Sequence, residues 1–145
     1  MIAVNDFHSK SPAAPGPCLV VMEEGHSLIG KQLQGVFTGL GFSLLQAAGA
    51  EEALRSCWRN APAVILVPQR MKLDDAAMLL RRIRKMPRAR RAVVLVYGER
   101  LDAGAVGRLV WEGASDGIAQ PFNRAIVLSK LRQAGLEGLA QARLS

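Results

Sequence analysis

The sequence predicts a three-layer α/β domain: a five-stranded parallel sheet with helices on both faces. Three observations predict it. Short apolar runs rich in β-branched residues alternate five times with segments of helical spacing, which is the pattern of βα units. The runs Ala63–Val67 and Ala92–Tyr97 contain no charged residue, as expected of strands covered on both faces. Residues suited to capping or ending a helix stand at the joints, among them Ser27, Gly41, Asp102, Gly113 and Asn123.

In order along the chain, residues 1–16 carry prolines and small residues without a periodic apolar face and are expected to form a flexible tail. The folded domain is expected over 17–135. Cys18–Met22 is the first strand. After Ser27, the residues Leu28, Ile29, Leu33, Val36, Phe37 and Leu40 recur at helical spacing as far as Gly41. Phe42–Gln46 is strand-like. Ala50–Asn60 is a short helix with Ala53, Leu54, Cys57 and Trp58 on one face. Ala63–Val67 leads to a helix over Leu73–Met86 with Ala76, Met78, Leu79, Leu80 and Ile83 turned inward. Its basic end suits the negative pole of the helix dipole. Ala92–Tyr97 precedes a helix through Val106, Leu109, Val110 and Trp111, ending at Gly113. Ser115–Ala119 is the last strand, and Asn123 opens a final helix that passes Leu131. Residues 136–145 read as a helical extension or tail.

Composition bounds the function. The chain has 145 residues, half of them hydrophobic, enough for one domain with a core. The longest apolar run, Ala92–Tyr97, is far too short to span a bilayer, and the N-terminus lacks the pattern of a secretory signal, so a cytoplasmic protein is expected. Cys18 and Cys57 have no metal or redox spacing, and His8 and His26 are isolated, so no metal and no cofactor are expected. The net charge of +7 is concentrated. Arg81, Arg82, Arg84, Lys85, Arg88, Arg90 and Arg91 lie together, with no acid between Asp75 and Glu99.

The strand at Leu19 with Glu23 and Glu24 after it, the run Pro62–Pro68, the turn Gly113-Ala114-Ser115-Asp116 and the end Gln120-Pro121-Phe122 together resemble a response-regulator receiver domain. The resemblance covers about residues 17–135 and rests on the order and spacing of the five units. It implies a flavodoxin-like (βα)5 fold and a place in bacterial two-component signalling. In that family a strand-end aspartate accepts a phosphoryl group from a histidine kinase, assisted by magnesium-binding acids, a hydroxyl and a lysine.

On this alignment the phosphorylation site is degenerate. Pro68 stands in place of the nucleophilic aspartate, and proline has neither a nucleophile nor a carboxylate. Met22 and Glu23 take the place of the acidic pair; a shift of one residue gives Glu23 and Glu24 and keeps some capacity for a hard cation. Tyr97 matches the hydroxyl residue, Gln120 the lysine, and Gly117 the aromatic switch. Asp74 and Asp75 read as helix-start acids rather than substitute acceptors. The bond before Pro121 is expected to be cis, as it commonly is in receivers.

The expected activity is therefore binding, not catalysis: a pseudo-receiver adaptor whose partner is another signalling protein (a kinase, a regulator or an effector) or a second copy of itself. The resemblance suggests a face formed by the fourth and fifth helices with the fifth strand, with Val106, Arg108, Trp111, Glu112, Arg124, Val127 and Leu128 as candidates. Trp58 and Trp111 also read as packing residues on the apolar stripes of their helices. The stretch Arg81–Arg91 stays open among three readings: a solvated helix end, a contact for an acidic protein, or a site for a cyclic dinucleotide. Arginine offers both bidentate phosphate contacts and a flat stacking face. The stretch has no aromatic residue, so a base-stacking nucleic-acid site has little support.

Overall fold

The computed structural model describes residues 15–23 and 27–136. Most of the expected tail, Glu24, both histidines and the extension after Leu136 lie outside them. Strands β1 (Pro17–Val21), β2 (Ser43–Ala47), β3 (Val64–Pro68), β4 (Val93–Gly98) and β5 (Asp116–Ala119) alternate with helices α1 (Leu28–Gly39), α2 (Ala50–Asn60), α3 (Ala76–Lys85), α4 (Ala103–Trp111) and α5 (Arg124–Gln133). All pairings are parallel, in the order β2-β1-β3-β4-β5. The chain runs from β1 to one neighbour and then crosses to β3 on the other side. That reversal opens a crevice at the carboxyl ends of β1 and β3.

Strand alternation divides the core into two. Cys18, Val20, Leu66, Leu95 and Ile118 pack beneath α1 and α5 with Leu33, Phe37, Val127 and Leu131. Leu19, Val21, Ile65, Val67, Val94 and Val96 face α2, α3 and α4, which contribute Cys57, Leu79, Leu80, Ile83 and Leu109. β1, β3 and β4 are buried on both faces, which accounts for their unbroken apolar sequence.

The helix starts are held by side chains. Ser27 Oγ accepts from Gly30 N at 3.0 Å, and Asn123 Oδ1 from Ile126 N at 2.9 Å. Asp75 and Asp102 cap α3 and α4 by accepting from the amides two residues on, each at 2.9 Å. The residue before α2 is Gly49, which has no side chain to offer; Asp74 supplies the missing acceptor from another loop, taking Ala50 N at 3.0 Å. Gly41 and Gly113 follow α1 and α4 at φ +97° and +125°, a region that L side chains rarely enter.

Several helix positions differ from expectation. α3 starts at Ala76 rather than Leu73, because Asp75 caps there and the amides of Lys72 and Leu73 are bound elsewhere. Met78 is half exposed, off the buried stripe of Ala76, Leu79, Leu80 and Ile83. Cys57 takes the buried position on α2, so Trp58, one step (about 100°) round the helix, is 61% exposed. Trp111 lies two steps beyond the buried Leu109, on the opposite side of α4, and is 87% exposed.

Candidate functional site

The crevice at the strand reversal holds about 170 Å³ and is lined by Met22, Glu23, Ser27, Pro68, Arg70, Lys72 and Tyr97. Pro68 ends β3 in register with Tyr97 of β4. The tyrosine ring is almost fully buried, and its hydroxyl donates to Val21 O at 2.6 Å, crossing β3 to the end of β1. Burial pushes its pKa up to about 12; a hydrogen bond with Ser27 works against that rise and the charge of Glu23 adds to it. Tyr97 thus fills the space and commits its hydroxyl.

Glu23 is committed as well. Its two carboxylate oxygens accept from Lys72 N and Leu73 N at 2.6 Å each, clamping the β3–α3 loop against the end of β1. Met22 turns inward onto α1, where a Cβ on Gly30 would lie 2.6 Å from its sulfur. Arg70 pairs with Asp102 at 2.7 Å. Among the described residues no group of three His, Cys, Asp or Glu could hold a metal. Asp75 caps α3 as expected, whereas Asp74, expected at the same helix start, binds the first amide of α2 instead. Among the described residues, the positions matched to the receiver site therefore offer the crevice no free carboxylate and no aspartate nucleophile.

Gln120 turns away from Pro68 and donates to Gln32 of α1. The bond before Pro121 is cis, as expected. At Gly117 a side chain would meet Leu101 Cδ1 at 2.8 Å and Val106 Cγ1 at 3.3 Å, so residues at the start of α4 occupy the place where the resemblance expects an aromatic switch. Gln69 carries no sequence signal, yet it ties two loops together: its Nε2 donates to Arg100 O at 2.6 Å and its Oε1 accepts from Asp102 N at 3.0 Å.

No protein-family model and no curated protein matches the sequence. Solved structures do match the fold. A chain designated a response regulator from Chloroflexus aurantiacus is 25% identical with a TM-score of 0.71, covering 83% of this chain and 98% of that one. This is the receiver fold. The receiver domain of a sensor histidine kinase from Pseudomonas aeruginosa, solved with magnesium in its active-site cleft, is 23% identical with a TM-score of 0.69 over 83% of this chain and 98% of its own. Chemotaxis protein CheY4 of Vibrio cholerae is 18% identical with a TM-score of 0.69 over 82% and 98%.

On this receiver fold the expected interaction face contracts. Val127 and Leu128 are buried in the α5 side of the core: the face of α5 that carries them packs on the sheet, and they are unavailable to a partner. Val106 packs partly into the opposite core layer, Glu112 pairs with Arg81 at 2.8 Å, and Arg124 donates to Gly39 O at 2.9 Å. Arg108 and Trp111 of the expected face remain exposed on α4, next to the exposed Val110.

The basic stretch also divides. Arg81 is held by Glu112. Arg84 is half buried and structural: Nε and Nη2 donate to Gly113 O at 2.8 and 2.6 Å, and Nη1 to Arg90 O at 2.9 Å and Ala92 O at 2.7 Å. Arg82, Lys85, Arg88, Arg90 and Arg91 are exposed.

Proposed function

We propose that this chain is a pseudo-receiver: a signalling adaptor of the two-component type that works by binding another signalling protein, without phosphoryl transfer. One observation carries the reading. Where a receiver needs an acceptor carboxylate facing free acids, this crevice has Pro68 beside a buried tyrosine hydroxyl and a glutamate already bound to two amides. Phosphoryl transfer to aspartate requires a nucleophile and negative ligands for magnesium, and none of the matching positions among the described residues supplies a free one. The receiver fold supports the signalling class, and the exposed Arg108, Val110 and Trp111 on α4 support a protein partner engaged there.

The test is incubation with magnesium and acetyl phosphate, or with beryllofluoride. Mass, tryptophan fluorescence and oligomeric state are expected to stay unchanged. An acyl-phosphate on any aspartate would overturn the reading.

A further inference from the structure

We propose a second site, for a small organic phosphate of nucleotide size, at the amino-terminal edge of the sheet. A pocket of about 410 Å³ opens there, at the end opposite the crevice, within the size range of small-ligand sites. Arg88, Arg90 and Arg91 line it, from the turn between α3 and β4. Pro62, Ala63 and Leu136 add apolar wall.

The arginines are uncommitted. Among the described residues none of the three has a carboxylate partner, and the one hydrogen bond from their side chains is a long contact from Arg88 to Arg59 O at 3.5 Å. Among the described residues, two acids towards this end of the sheet are paired, Glu112 with Arg81 and Asp116 with Lys130. Three guanidinium groups within four positions, with no carboxylate partner among the described residues, supply paired donors matched to phosphate oxygens. Their backbone is fixed independently of their side chains, because Arg84 holds the carbonyls of Arg90 and Ala92. Arg81 and Arg84 belong to that support and not to the site.

The size favours a small ligand over a nucleic acid. The charged surface is one pocket rather than a track, and no aromatic residue lines it for strand stacking. A phosphate alone would use the arginines; the apolar wall adds contact for a nucleoside. Neither Pro68 nor Trp111 lines this pocket, so the site is independent of the pseudo-receiver reading.

Calorimetric titration of the full chain with pyrophosphate, GTP and a cyclic diguanylate should show binding, with the nucleotides tighter than pyrophosphate. R88A/R90A/R91A should weaken it by about tenfold or more, since hydrogen bonds to charged groups are strong. R88K/R90K/R91K keeps the charge but loses the paired donors and should also weaken binding. R55A/R82A/R100A removes the same charge elsewhere and should bind as the wild type does. All these side chains are exposed, so every variant should melt with the parent. Absence of heat with every probe would overturn the proposal, as would equal losses in the two alanine series. An oligonucleotide binding more tightly than GTP, with a salt slope of several phosphates, would overturn it in favour of nucleic acid.

Discussion

Tyr97 is the one tyrosine in the chain, so tyrosinate absorbance reports its environment without ambiguity. Its ring is buried, which raises its pKa to about 12, and its hydroxyl donates to Val21 O. The unfolded chain would lose that proton near the ordinary value of about 10. Between the two the folded state binds more protons than the unfolded one, so stability is full below pH 10 and falls as pH rises towards 12. Cys57, pushed up to about 11 by burial, acts in the same direction. A spectrophotometric titration should show no tyrosinate until the domain itself unfolds in alkali. A reversible midpoint near 10 in folded protein would mean that the ring is not packed in the crevice. None of this was legible in the sequence beyond Tyr97 matching a smaller hydroxyl residue. The destination of its hydroxyl depends on a carbonyl far away in the chain, and local pattern is silent on such contacts.

At the scale of elements, the sequence was informative where the forces are local. All five βα units appear in the expected order, within a few residues of their expected bounds, because alternating burial and side-chain caps act over short spans. α2 matches throughout, Ala50–Asn60. Facing was harder to read on the helices. Leu28, Trp58, Met78 and Trp111 all belong to apolar runs, yet a step of about 100° per residue carries each off the buried stripe, and only the neighbour that touches the sheet is settled by packing. Val127 and Leu128 failed in the other sense: placed by resemblance on an interaction face, they lie in the core. α4 gives a direct test. L109A removes a buried side chain and should cost about 2–4 kcal/mol in urea unfolding, whereas W111A should stay within about 0.5 kcal/mol. A large loss from W111A would show that the indole is packed rather than presented to a partner.

For the molecule as a whole, the two ends of the sheet have different fates. The small crevice between the ends of β1 and β3 is filled by Tyr97 beside Glu23 and Pro68, while the amino end carries an arginine-lined opening. No helix among the described residues is long and apolar enough to cross a membrane. Arg84 joins segments that the chain keeps apart. It spans from α3 to the backbone of the pocket at Arg90 and Ala92 and to Gly113, two residues beyond Trp111. Gly113 admits that approach, since a Cβ there would lie 2.7 Å from Arg84 Cγ and its φ of +125° would strain any other residue. R84A leaves three carbonyls short of a donor and should cost about 2–3 kcal/mol.

One guanidinium therefore makes the pocket and the end of the tryptophan-bearing helix mechanical neighbours. Ligand occupancy at Arg90 and Arg91 and partner occupancy at Trp111 would share a support, and any influence between them must be reciprocal: each would change the other's affinity by the same factor. Measuring both affinities with and without the second binder, in the wild type and in R84K, would close the thermodynamic square. Equal factors in the wild type that collapse to unity in R84K are expected, and factors of unity throughout would mean that the two ends of the domain answer independently.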